Sequence, residues 1–117
     1  MVLQEKNTWV IRENDCEVCS IEQALDAIGG KWSFLIIREL LHGAKRYGEL
    51  RRSIQRISPK SLAATLRHLE NNGILLRTVY PTTPPMVEYA LTEKGNELRP
   101  AIYAMKAWGK HWGKQSN

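Results

Sequence analysis

No apolar run in this chain approaches the roughly 20 residues that a bilayer-spanning helix needs. The N-terminus, MVLQEKNTWVIREND, lacks the apolar stretch of a secretory signal, so the cytoplasm is the expected location. Cysteine is scarce, and Cys16 and Cys19 alone are too few for a disulfide scaffold. They form Cys16-Glu-Val-Cys19, but no second CxxC completes a zinc site, and no strand pattern precedes the pair as a thiol oxidoreductase requires. His42, His68 and His111 stand single and scattered, so no metal is expected. Glycine-rich phosphate loops, paired carboxylates and other nucleophile signals are also missing. The chain is expected to be no enzyme and to carry no cofactor.

What is present suits one compact domain of 117 residues, with 43% apolar residues for a core and 25% charged ones. The net charge of +5 is unevenly placed. Residues 1–30 carry Lys6 and Arg12 against six acidic side chains, whereas the rest of the chain is strongly basic. Lys45, Arg46, Arg51, Arg52, Arg56, Lys60, Arg67 and Arg77 face only Glu49 and Glu70 over residues 45–77. A basic block inside a folded domain points to a polyanion, and it argues against an interaction module that ignores nucleic acid.

Helix punctuation divides the chain. Ser20-x-x-Gln23 reads as a capping box opening a helix whose apolar stripe is Ile21, Ala24, Leu25 and Ile28, ended by Gly29-Gly30. A second helix is predicted from Lys31 to Leu41, with Trp32, Leu35, Ile36 and Leu40 at helical spacing. Tyr47 to Ile54 forms a short third helix, with Tyr47, Leu50 and Ile54 inward and Arg51 and Arg52 outward. Ser58 before Pro59 specifies the start of a fourth helix, which runs to Asn72 with Leu62, Leu66 and Leu69 inside. Its outward positions are then Lys60, Ser61, Ala64, Thr65, Arg67 and His68. After Gly73 the period becomes two, giving strands over Ile74–Tyr80 and Met86–Leu91 around the stiff loop Pro81-Thr-Thr-Pro-Pro85. Thr92 caps a last helix bearing Leu98, Ile102, Met105, Trp108 and Trp112, with a kink predicted at Pro100. Leu98 and Ile102 are expected to fold back on the chain's own core, and no pocket can be read from the sequence, which leaves a cavity between this helix and that core open.

Three helices, a short turn before the last of the helix-turn-helix pair, and then a hairpin make up the winged helix-turn-helix plan. The fold class is mainly α with a small β-hairpin wing (α+β): a three-helix core, an N-terminal segment and a C-terminal helix. In this plan the fourth helix enters the major groove. Lys60, Ser61, Ala64 and Thr65 approach base edges, and Ser58 and Arg67 flank them. Lys45, Arg46, Arg51 and Arg52 lie along phosphates and supply affinity more than sequence choice. The wing tip, with Thr82, Thr83 and flanking Arg77, touches backbone or minor groove.

The segments Cys19-Ser-Ile-Glu-Gln-Ala-Leu-Asp-Ala-Ile-Gly-Gly-Lys-Trp32, Tyr47-Gly-Glu-Leu-Arg-Arg52, Ser58-Pro-Lys-Ser-Leu62, Leu66-Arg-His-Leu-Glu70 and Val79 through Gly95 resemble the HxlR-type regulators in order and spacing. The resemblance spans residues 19 to about 109. It implies one domain over residues 1–117, with a DNA-binding core at 19–92 and dimerisation elements at 1–18 and 93–117. It also implies a homodimeric transcriptional regulator on double-stranded DNA with a pseudo-palindromic operator. Trp9, Ile11, Met105, Trp108 and Trp112 are the candidate dimerisation residues, being apolar beyond what one small core needs. Some members of that family sense oxidants or electrophiles through a cysteine at the position of Cys19; Cys16 is additional to the family pattern. Cys19 stands just ahead of the predicted first helix, where the dipole favours a thiolate, while Glu17 and Glu22 oppose it. An oxidant or small-molecule effector fits this picture, and the sequence names none.

Overall fold

The computed structural model describes the backbone of residues 2–5, 8–11 and 17–113, and side chains from residue 20 to residue 113. Cys16 lies outside the described residues. Helix α1 spans Glu17–Ile28. It begins ahead of the Ser20-x-x-Gln23 box, so Ser20 is an exposed residue of the helix and not its cap. Gly29 joins it to α2 at Lys31–Leu40 with φ +97°, and a Cβ at Gly29 would come within 2.8 Å of Ser33 Oγ. Both the backbone conformation and the space therefore demand glycine. Helix α2 is central, as its apolar period predicts, with Ser33, Ile36, Ile37 and Leu40 buried.

Strand β3 is the two-residue segment Lys45–Arg46, followed at once by helix α3, Tyr47–Ser53. The amide of Arg46 donates to Glu49 Oε1 at 2.7 Å, which satisfies the N-terminal end of α3. The turn to the next helix holds Arg56 at φ +76°, a left-handed conformation uncommon for a side-chain-bearing residue. Helix α4 then runs Pro59–Asn71, and Ser58 Oγ accepts from the Ser61 amide at 3.0 Å. Leu62, Leu66 and Leu69 are its buried stripe. Together with Leu50, Ile36, Ile37 and Ile74 they form the tightest part of the core. Each such side chain contributes about 1.5–3 kcal/mol by leaving water.

Strands β4 (Leu75–Tyr80) and β5 (Met86–Leu91) form the wing. β3 adds to the far edge of β5, so the sheet has three antiparallel strands in the order β3-β5-β4. A further antiparallel hairpin near the N-terminus pairs β1 (Val2–Glu5) with β2 (Thr8–Ile11), setting Trp9 opposite Gln4 and Ile11 opposite Val2.

The last helix is divided in two. Thr92 caps a single turn, α5 (Glu93–Asn96), by accepting from the Gly95 amide. Glu97 and Leu98 interrupt the helix, and α6 runs Arg99–Trp112. Pro100 causes no kink within a continuous helix. It sits in the first turn of α6, where its missing amide is no loss. Arg99 Nη2 donates to Leu41 O at 3.0 Å and pins the start of α6 to the end of α2. Ile102 is buried and Leu98 packs against the core, whereas the helix beyond them projects. A cleft of about 590 Å³ opens between α2 and α6, floored by Phe34, Leu35 and Ile102. Among the described residues no helix is long and apolar enough to cross a membrane.

Candidate nucleic-acid interface

The outer face of α4 follows from its leucine stripe. Lys60, Ala63, Ala64, Arg67, Glu70 and Asn71 are exposed, with Ser61 and Thr65 half-buried at the margin. Thr65 Oγ1 donates its proton to Ser61 O at 2.7 Å, and that donor is spent inside the helix. His68 does not join this face. Its Nε2 donates to Asp26 O at 3.0 Å and ties α4 to α1. The exposed centre therefore runs along Lys60, Ala63, Ala64 and Arg67, one step round the helix from the line through Ser61, Thr65 and His68. A side-chain count every three or four residues finds the buried leucines, but it does not tell which polar margin residue bonds inward.

Arg51, Arg52 and Arg56 are exposed around the end of α3, and Lys45 and Arg46 precede its start. Among the described residues the ion pair present is Arg38–Glu39 at 2.9 Å, and none of these cations pairs with a carboxylate there. Glu49 is the acidic exception. Its carboxylate accepts the Arg46 amide and lies in the field of Arg46, Lys45 and Arg52, which holds it below the ordinary glutamate value despite some desolvation. It serves the end of α3 while the surrounding charge stays positive.

The wing differs from expectation in one residue. Arg77 is not beside the tip. It lies near the root of β4, opposite Tyr89 of β5, and Tyr89 in turn lies opposite Lys45 of β3. Directly opposed residues of antiparallel strands share a face, so Lys45, Tyr89 and Arg77 form one row. Tyr89 is buried against the helices, which turns that row toward α3 and α4. Arg77 and Arg67 accordingly line one cleft of about 330 Å³ with Tyr47, Ala63, Glu70 and Tyr89. The missing signal was β3, two residues being too few to show a period.

The tip itself, residues 81–85, is exposed and stiff. The Thr83–Pro84 peptide is cis. The Thr82 amide donates to Tyr80 O at 2.8 Å and its hydroxyl to Pro84 O at 2.7 Å. Thr82 thus has acceptor lone pairs to offer and its donor is engaged. Tyr80 donates to Glu88 Oε1 at 3.0 Å across the hairpin, which raises the phenol above its ordinary value.

A second exposed surface is apolar. Met105 is 51% exposed, and Trp108 and Trp112 are each 67% exposed on the projecting part of α6. Ile21 and Leu25 of α1 are 59% and 52% exposed, so the apolar stripe of α1 is buried only at Ile28. Cys19 is the third residue of α1, inside the first turn and not ahead of it. The side chains of Trp9, Ile11 and Cys19 lie outside those described.

A model of the HxlR-like helix-turn-helix family matches residues 27–117. An uncharacterised HTH-type transcriptional regulator of Methanothermobacter thermautotrophicus is 45% identical over 100 residues, covering 86% of this chain and 76% of that protein. The HTH-type transcriptional regulator YdeP of Bacillus subtilis is 43% identical over 99 residues, covering 85% and 77%. Among solved structures, the redox regulator HypR in its oxidised form superposes with a TM-score of 0.78 at 41% identity, covering 85% of this chain and 100% of HypR. The reduced form of the transcriptional regulator YodB of B. subtilis superposes with a TM-score of 0.71 at 40% identity, covering 84% and 96%.

Proposed function

The chain belongs to the HxlR-like helix-turn-helix family of transcriptional regulators, and from that premise we propose that it binds a pseudo-palindromic operator in the cytoplasm as a homodimer. Helix α4 enters the major groove, with Lys60, Ser61 and Ala64 nearest the bases. Lys45, Arg46, Arg51 and Arg52 follow the phosphates, and the wing tip at Thr82 and Thr83 meets the adjacent groove. The observation that carries the reading is the set of cations around α3 and α4, none of them in an ion pair among the described residues, on a helix pair whose own core is complete.

Residues 19–92 act as the reading head, and residues 1–18 and 93–117 build the dimer. The exposed Met105, Trp108 and Trp112, with Ile21 and Leu25, support that division. One protomer leaves them in water, and a twofold partner would cover them.

The likeness to HypR and YodB favours a second level of action, redox control through Cys19, with Cys16 as its nearest thiol in sequence. Cys19 lies in the first turn of α1, where unpaired amides and the helix dipole favour a thiolate.

Fluorescence anisotropy on the gene's own upstream duplex, against a scrambled duplex of equal length at physiological salt, tests the reading. A preference of at least about a thousandfold is expected for a specific regulator. Lys60→Ala should weaken binding to the native duplex selectively, and Arg51→Ala should lower affinity for both duplexes. Equal binding of both duplexes by the parent protein would remove sequence specificity. Repeating the titration with diamide and then with reductant tests Cys19, and Cys19→Ser should abolish any change.

A further inference from the structure

Arg67 and Arg77 come from different elements and meet in one place. The cleft of about 330 Å³ between α4 and the root of the wing is lined by both. A neighbouring cleft of about 360 Å³, reaching from Arg46 and Gly48 to the wing residues Pro85 and Met86, shares Arg77, Tyr47 and Tyr89 with it. The two adjoin at Tyr47, Arg77 and Tyr89, and the first of them is the groove between the proposed reading helix and the wing. Both arginines are exposed, and neither forms an ion pair among the described residues. Glu70 lines the same groove without pairing to either. Two guanidinium groups thus share one cleft with a single carboxylate, which leaves it net positive. Solvent screens that charge, and an anion held between the two arginines would be favoured there.

We propose that Arg67 and Arg77 clamp one backbone phosphate of the DNA strand that passes between α4 and the wing. The clamp rests on the reading of α4 as the groove-entering helix. A guanidinium fork matches the phosphodiester oxygens with paired N–H donors, which an ammonium does not reproduce. Arg77 is thereby a positioning residue at the root of the wing: it sets how deeply α4 can sit, independently of the tip. Glu70 opposes the clamp, since its carboxylate faces the same phosphate.

The test is a salt titration of binding to both the native and the scrambled duplex, since phosphate contacts are sequence-independent. Arg67→Ala and Arg77→Ala are each expected to lose about tenfold in affinity on both duplexes. The phosphate is held only when both forks engage it, so each should also flatten the slope of log affinity against log salt by about 0.9, the value for one phosphate contact. The double variant should lose far less than the product of the two, because both arginines hold the same phosphate. Arg77→Lys should keep most of the slope and still lose affinity. Glu70→Gln should bind severalfold more tightly than the parent. If Arg77 instead serves the fold by pairing with Glu70, Glu70→Gln gains nothing and Arg77→Ala lowers the melting temperature with an unchanged slope, and the proposal fails. Multiplicative losses would mean two separate phosphates and would also overturn it. A parent protein that binds neither duplex would bring down the reading of α4 and the clamp together. A parent that binds, with Lys60→Ala impaired and Arg77→Ala unaffected, would remove the clamp alone.

Discussion

Replacing Gly95 by alanine probes the joint that connects the wing to the projecting helix. Gly95 is buried in α5, and its backbone lies outside the left-handed region, so alanine meets no conformational objection there. The objection is spatial. A Cβ would overlap the carbonyl oxygen of Ile74 and stand 3.0 Å from Ile74 Cγ2 and 3.1 Å from Leu91 Cδ2. That carbonyl accepts the Thr92 amide at 3.0 Å and also the Thr92 hydroxyl at 3.1 Å, so it cannot retreat without loosening the cap of α5. Overpacking of this kind costs about 1–3 kcal/mol, and a weakened buried hydrogen bond adds about 1 kcal/mol. The helix propensity of alanine returns about 1 kcal/mol. The net expectation is a loss of about 1–3 kcal/mol, with the midpoint falling roughly 4 °C for each kcal/mol in a domain of this size. Thermal melts by circular dichroism at one fixed protein concentration measure it. Gly109→Ala is the matched control, since a Cβ there meets nothing within 4 Å of the chain and the helix gain of about 1 kcal/mol should appear as a higher midpoint. A Gly95→Ala protein that melts at or above the parent would refute the close approach of α5 to Ile74.

Ser58→Ala removes the acceptor of the Ser61 amide, and a urea titration should show about 1 kcal/mol less stability with an unchanged slope. Trp108→Ala combined with Trp112→Ala should shift sedimentation velocity profiles from dimer toward monomer while far-UV dichroism is retained, since both rings stand outside the single-chain core. Glu49→Gln should lower stability at neutral pH. The folded-state value of Glu49 is depressed, so its contribution is present above the unfolded value and is lost as pH falls through the folded one. The gap between variant and parent should therefore close below about pH 4.5, read from urea midpoints across pH.

Much of this architecture was readable because its signals are local. Ser58-Pro59 marks the start of α4, and the cap forms as that dipeptide suggests. The change of period after Gly73 places both wing strands within a residue of their observed bounds. Other features depend on distant partners and left no local mark. β3 exists because Lys45 and Arg46 find the open edge of β5, and two residues cannot carry an alternation. The stripe Ile21, Ala24, Leu25 has helical spacing that describes a face without saying what covers it, and in one protomer nothing does. Pro100 announces a break but not its place, and the chain resolves it by ending one helix early and starting another with proline in its first turn. At the candidate interface, the cations themselves are visible in the composition, whereas the row Lys45–Tyr89–Arg77 required the register.

The bond from His68 to the Asp26 carbonyl couples the helix that holds Cys19 to the proposed reading helix. His68 sits nine residues beyond Pro59, about 13 Å along α4 at the usual helical rise. Asp26 sits near the far end of α1, the helix whose first turn holds Cys19. An ångström of travel at that imidazole would swing α4 through about 4 degrees about its capped end, given that lever arm. His68 is thus a direct link between the helix whose first turn holds Cys19 and the middle of α4, and it needs no intervening element.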